Sequence, residues 1–118
     1  MIEPEQKTGK LCPLIAFSHA TSGKYKMRIL WELMKGPQRY GELRRSAIVA
    51  AMGKPVTPRI LSRELKELQK RGMIHRKQYA VVPPKVEYSL TGLGKSLAPV
   101  IKQIVKWGLT KAQVPAMR

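Results

Sequence analysis

One stretch, TPRILSRELKELQKRGMIHRKQYAVVPPKVEYSL from Thr57 to Leu90, constrains the fold more than any other part of the chain. Thr57 is a helix N-cap type, and Pro58 follows where the first turn has no N–H to lose. Ile60, Leu61, Leu65 and Leu68 recur at helical spacing and predict an inward face, while Arg59, Ser62, Arg63, Lys66 and Lys70 mark the opposite one. Gly72 stands where a left-handed cap would end the helix, just after Arg71 in its last turn. Two β-like runs follow, Met73 to Tyr79 and Lys85 to Leu90. In the second, Val86, Tyr88 and Leu90 alternate with Lys85, Glu87 and Ser89, the pattern of a half-buried strand. Pro83-Pro84 cannot sit in a central ladder and stiffens the connection, so a hairpin with a rigid basic tip is expected.

A solvated amphipathic helix followed by an unrelated hairpin would carry no surplus of one sign. Residues 54–85 instead hold nine Lys/Arg against Glu64 and Glu67, about twice the density of positive charge found elsewhere in the chain. A basic helix followed by a basic hairpin is the layout of a winged helix-turn-helix that contacts nucleic acid. The expected class is α+β, mainly α.

With 118 residues there is room for one domain and one modest core. A flexible tail over 1–10, a DNA-binding and dimerisation domain over 11–110 and a C-terminal tail over 111–118 are expected. The net charge of +16 comes from 23 Lys/Arg against seven Glu and no Asp, and such a field gathers polyanions. An anionic membrane is the rival target, but no apolar run approaches the roughly 20 residues of a spanning helix. No membrane partner is expected. The single Cys fits a reducing compartment, and the expected location is cytoplasmic, on the nucleoid. His19, beside apolar positions, is expected to be packed, and His75 to face solvent from a strand. Two His and one Cys make no structural zinc set, and the usual phosphate-loop, dinucleotide, metalloprotease and nucleophile-elbow patterns are missing. No catalytic residue, metal or cofactor is expected.

Along the chain, Cys12 to Ala20 reads as a short apolar helix opened by Pro13. A second helix runs from about Lys24 to Lys35, with Met27, Leu30, Trp31 and Met34 on one face and Ile29 and Leu33 beside it; Gly36-Pro37 stops it. Gln38 to Tyr40 suits a minor edge strand. Gly41 to about Ala51 reads as a helix with Leu43, Ala47 and Ile48 inward and Arg44-Arg45 outward, and Met52 to Val56 as the turn into the basic helix. After the hairpin, Thr91-Gly92 opens a last helix whose Leu97, Val100, Ile104 and Trp107 form a seam widened by Leu93, Ile101 and Val105. So wide a stripe on a terminal helix calls for a partner subunit, with burial in the same chain as the alternative. The interface candidates are Leu97, Val100, Ile101, Ile104 and Trp107. Pro99 either kinks this helix near Lys95–Ser96 or splits it in two.

These residues resemble the HxlR-type winged helix-turn-helix transcriptional regulators, within the wider MarR-like group. The resemblance runs from Cys12 to Gly108 and is carried by Cys12-Pro13-Leu14, Gly23-Lys24-Tyr25, Arg39-Tyr40-Gly41-Glu42-Leu43, the run from Leu61 to Leu68, Val82-Pro83-Pro84-Lys85-Val86-Glu87-Tyr88 and Trp107-Gly108. It implies a homodimer joined through the terminal helices on a palindromic operator. It also implies that some relatives sense oxidants or electrophiles with a Cys at the Cys12 position. Tyr25 replaces the family's usual Trp, and the segment Ser46 to Val56 is several residues longer than usual, which bears on how the basic helix approaches DNA.

The expected partner is therefore double-stranded DNA, with the basic helix in the major groove. Arg59 and Arg63, one turn apart, suit bidentate contact with guanine; Thr57, Ser62 and Lys66 suit phosphates, and Lys77 and Lys85, flanking the wing, the backbone or the adjacent minor groove. A protein that coats DNA without sequence choice is the alternative, and an RNA-binding winged helix a third reading that scarce exposed aromatics disfavour. A small-molecule or oxidant effector is compatible with either DNA reading. Cys12 precedes the first helical residue and follows Lys10 by two positions; both fields favour the thiolate, the form that reacts. A buried, inert Cys is the other reading.

Overall fold

The computed structural model describes residues 12–23, 25–45 and 56–112. Helix α1 spans Pro13–Thr21, α2 Lys26–Leu33, β1 Gln38–Arg39 and α3 Tyr40–Leu43; α4 is Pro58–Lys70, β2 Ile74–Tyr79 and β3 Lys85–Leu90. Two further helices follow, α5 at Gly92–Ser96 and α6 at Ala98–Trp107, the latter unwinding into a wide π-helical turn at Gly108–Ala112. The three strands form one antiparallel sheet in the order β1-β3-β2. A mainly helical chain around a small sheet, with a hairpin beyond the basic helix, is the winged-helix architecture expected.

Helix α4 begins and ends where its capping residues place it. Thr57 accepts a hydrogen bond at Oγ1 from the Ile60 amide at 3.2 Å, satisfying one orphan donor of the first turn. At the other end Gly72 adopts φ +76°. There the Gly72 amide donates to Gln69 and the Met73 amide to Leu68, both at 2.9 Å, the paired bonds of a Schellman cap. Leu61, Leu65 and Leu68 are buried against Ile29, Leu30 and Leu33 of α2, Leu43 of α3, Ile74, Tyr88 and Leu90 of the hairpin and Ile101 of α6. Strands β2 and β3 pair from Ile74↔Leu90 to Tyr79↔Lys85, so Ile74, Tyr88 and Leu90 share the face toward the helices.

The hairpin is tied to α5 by one compact junction. Thr91 accepts from the Gly94 amide at 3.0 Å and donates to the Gly72 carbonyl at 2.6 Å, while its own amide donates to Met73. A β-carbon on Gly94 would lie 2.2 Å from the Met73 carbonyl oxygen, so only glycine allows α5 this close to the end of α4.

Several expectations need correction. On α2 the deepest residues are Ile29, Leu30 and Leu33, with Met27, Trp31 and Met34 only half-buried; the core lies one position around the helix from the expected face. Tyr40, expected in the edge strand, already opens α3. Arg44, expected outward, is half-buried, and its Nε donates to the Val56 carbonyl at 3.0 Å. Ala47, Ile48, the rest of the longer segment up to Pro55, the tail over 1–10 and residues 113–118 lie outside the described residues, while Lys111 and Ala112, expected in the C-terminal tail, belong to the π-helical turn. Pro99 splits the last helix: Leu97 caps the end of α5 and the start of α6, putting Pro99 in a first turn, where a missing N–H costs nothing. Ile101, grouped with the outer seam, is 3% exposed in the chain's own core, and Leu97 packs against that core. His19, expected to be packed, is exposed; His75 faces solvent as expected. The hairpin tip is apolar rather than basic, with Val81 exposed and Val82 99% exposed.

Candidate nucleic-acid interface

The outward side of α4 shows Arg59, Ser62, Arg63, Lys66 and Lys70, all exposed, with Thr57 exposed at its start. The helix also carries Glu64 and Glu67, which would neutralise this face if they shared it. Both are drawn away by Lys26 of α2. Its Nζ donates to Glu64 Oε1 at 2.5 Å and to Glu67 Oε1 at 2.6 Å. The side chains of Lys26 and Glu64 are only 4% and 6% exposed, whereas Glu67 remains half-exposed. The second oxygen of Glu64 accepts from Arg63 Nη2 at 3.2 Å, and most of the Arg63 guanidinium faces solvent.

Burial alone would push the Lys26 ammonium down; the hydrogen bonds and field of Glu64 and Glu67 outweigh it and hold the group above the ordinary lysine value. Glu67 is held below the ordinary glutamate range, first by its hydrogen bond with Lys26 and then by that cation's field.

Tyr40 stands at the start of α4. Its hydroxyl donates to the Pro58 carbonyl at 3.1 Å and lies 3.4 Å from Ser62 Oγ. Between α4 and the sheet is a cleft of about 400 Å³ lined by Tyr40, Ser62, Lys66, Gln69, Arg76, Val86 and Tyr88. Arg76 pairs with Tyr88 across the hairpin, so it shares the face turned to the helices and brings a strand-borne guanidinium beside Lys66. Lys77 and Lys85 lie on the other face. Lys77 Nζ is 4.8 Å and Lys85 Nζ 4.6 Å from the centroid of the Tyr79 ring, whose hydroxyl donates to Glu87 Oε1 at 3.1 Å. Glu87 also lies 3.8 Å from Lys85 Nζ and pairs in register with Lys77 and Arg39. The two lysines are thus gathered around one aromatic ring below the apolar tip, with one carboxylate among them.

The structure brings Thr57, Arg59, Ser62, Arg63 and Lys66 onto one helix face and sets Lys77 and Lys85 apart on the hairpin. Sequence reasoning missed the roles of Lys26, Glu64, Tyr40, Tyr79 and Arg76. Strand parity carried a signal for Arg76, which alternates in phase with Ile74. Among the described residues no cluster of His, Cys, Asp or Glu could hold a metal ion, and no helix is long and apolar enough to cross a membrane.

Known proteins share this fold. The profile of HxlR-like helix-turn-helix proteins matches residues 20–115, most of the chain. The chain belongs to the HxlR-like helix-turn-helix family. This HxlR-like protein is a DNA-binding transcriptional regulator of winged helix-turn-helix architecture, with the β2–β3 hairpin as its wing. It is similar to the HTH-type transcriptional regulator YdzF of Bacillus subtilis, 47% identical over 90 residues that make up 75% of this chain and 77% of that one. The B. subtilis regulator YdeP is 40% identical over 97 residues, 82% of this chain and 71% of its own. Among solved structures, the oxidised form of the redox regulator HypR superposes with a TM-score of 0.75 at 36% identity, covering 85% of this chain and 97% of that one. Diamide-treated YodB of B. subtilis gives 0.65 at 25% identity, covering 86% and 95%.

The Lys26 cluster fixes a pH dependence. Because the folded value of Glu67 is depressed, its contribution is fully present above the ordinary glutamate value of 4.5 and is lost as pH falls through the lower folded value. Lys26 is raised, so its contribution is fully present below 10.5 and is lost only as pH rises through the higher folded value. Urea midpoints of the HxlR-like regulator should therefore hold level through neutrality and fall below about pH 4.5. Glu67→Gln should flatten part of that acid limb; an acid limb identical in both proteins would remove Glu67 from the account.

Proposed function

We propose that this regulator acts as a homodimer that reads a palindromic double-stranded DNA site, with α4 in the major groove and the hairpin against the adjacent backbone. The observation that carries the reading is the charge sorting on α4. Five polar or basic side chains face out, and the helix's two carboxylates are held by a lysine from α2. Arg59 and Arg63 lie where the N-terminal part of a recognition helix meets base edges, and guanine presents two acceptors to a guanidinium there. Thr57, Ser62 and Lys66 flank them as phosphate ligands. Lys77 and Lys85 would meet the backbone beside the wing, Lys85 with part of its charge offset by Glu87.

The dimer reading rests on apolar surface. Leu93, Val100, Ile104, Trp107 and Leu109 are exposed along α5, α6 and the final turn, Trp107 at 60%, and Leu14 and Ile15 are exposed on α1. A single subunit leaves these side chains in water, whereas a two-fold mate would cover them and set two recognition helices about 34–36 Å apart, one turn of DNA.

HypR and YodB are named by their redox or diamide-treated forms, which supports a thiol-responsive reading of Cys12 here. Cys12 is the N-cap of α1 and is half-buried, with the Ala16 amide on its carbonyl at 2.9 Å. With no second Cys in the chain, reversible oxidation would form an inter-subunit disulfide or a mixed disulfide with a small thiol. An oxidant should change operator affinity in the native chain and leave Cys12→Ser unaffected; equal responses in both would end the redox reading.

Selection of bound fragments from genomic DNA should return one palindrome, and recovery of unordered sequences would favour a DNA-coating protein instead. On the selected duplex, Arg63→Ala should lose roughly 1–3 kcal/mol against that site only, while Lys66→Ala should weaken all sequences and lower the salt slope by about one unit. Equal losses on specific and non-specific DNA for both variants would overturn the division of roles. Light scattering should show a dimer for the native chain at micromolar concentration and a monomer for Ile104→Glu. A native monomer would sink the two-fold reading.

A further inference from the structure

The carboxylate of Glu64 is divided between two cations of different standing. Oε1 accepts from Lys26, buried at the α2–α4 contact, and Oε2 accepts from Arg63, on the solvent face. We propose that the Lys26–Glu64 pair is the positioning device that sets the pose of Arg63 for base reading. This inference rests on the assignment of Arg63 as a reader made above.

The reasoning follows from how a carboxylate and a guanidinium satisfy each other. A carboxylate with both oxygens free takes a guanidinium in a bidentate grip, which occupies two parallel N–H groups and fixes its plane. Guanine needs the same kind of fork for O6 and N7. Lys26 draws Oε1 toward the α2–α4 contact, and Glu64 meets Arg63 through Oε2 and Nη2, at 3.2 Å. The remaining donors of the fork stay available, while the single bond limits the rotamers the long side chain can sample. Without Lys26, the buried Glu64 carboxylate would turn both oxygens to the nearest cation left on α4, Arg63, and draw it off the DNA face. Without the carboxylate charge, Arg63 would lose its tether and be no longer pre-oriented. Both lesions reach the base contact only through Arg63. Lys66 and Lys70 have no part in the pair and keep the sequence-independent attraction to phosphate.

The full-length chain tests this with two duplexes, the one selected from genomic DNA by the native protein and a scrambled duplex of equal composition. The readout is the ratio of their dissociation constants at one salt concentration, with circular dichroism reporting folding. Glu64→Gln keeps an acceptor for Lys26 but can set an amide donor against Arg63 Nη2; Lys26→Met frees the carboxylate. Each should lower the ratio by about tenfold, within the range that one bidentate arginine contact supplies. Glu64→Gln should leave the scrambled-duplex affinity unchanged, and Lys26→Met, which also releases Glu67, should lower it by less than it lowers affinity for the selected duplex. Each should cause no further fall in an Arg63→Ala background, because the path runs through that side chain. If Lys26→Met does not fold, the Glu64→Gln and Arg63→Ala cycle decides alone. An undiminished effect in the Arg63→Ala background, or equal losses on both duplexes, overturns the inference while leaving Arg63 as a reader. If Arg63→Ala itself leaves the ratio intact, the reader assignment falls and the inference with it.

Discussion

A lysine ammonium buried between two helices does more to define this protein than its overall charge does. Taking Lys26 and Glu64 out of water is costly, and such a pair is seldom worth more to stability than two well-packed apolar residues would be. Its effect is sorting. α4 must be apolar behind and basic in front, yet four positions of a helix turn cannot all be basic without self-repulsion. Glu64 and Glu67 relieve that repulsion within the helix, and Lys26 keeps them from cancelling the outward field. The packing of Leu61, Leu65 and Leu68 sets the rotation of the helix, and the ion pair sets what that rotation shows to a ligand.

Features governed by neighbours in sequence were legible in the chain. Thr57, Pro58 and Gly72 bounded α4, and the alternation of Val86, Tyr88 and Leu90 gave β3 its limits and its inward face. What was not legible came from partners far apart in sequence. Lys26 and Glu64 are 38 positions apart, and a lysine at the head of an amphipathic helix reads as solvated until the opposing helix is known. On α2 the apolar residues cover more than half the circumference, so periodicity cannot choose between Leu30 with Trp31 and Leu30 with Ile29; the shape of the space beside α4 chooses. The same ambiguity put Ile101 with the outer seam, although it lies on the inner side of α6. At the candidate interface, the shared exposed face of Arg59, Ser62, Arg63 and Lys66 could be read from helical spacing alone. Tyr79 as the platform for Lys77 and Lys85 could not, because it depends on hairpin register.

The junction around Thr91 links the two ends of the structure. One threonine caps α5 through the Gly94 amide and donates to Gly72, the residue that ends α4, so the helix that bears the exposed apolar surface starts at the point where the basic helix stops. No flexible linker separates them. The C-terminal end of α4 and the start of α5 share the hydrogen bonds of Thr91. Direct coupling of this kind suits the proposed dimer, in which two reading helices would keep a fixed separation.

The hydrogen bond from Arg44 to the Val56 carbonyl has a consequence for chain length. It ties the end of α3 to the residue just before the α4 cap, so the start of α4 is held from α3 as well as by its own capping threonine. The entropy of closing a loop grows only slowly with its length. A change in the number of residues between Arg44 and Val56 therefore costs little, with α4 left where its own cap and core contacts hold it.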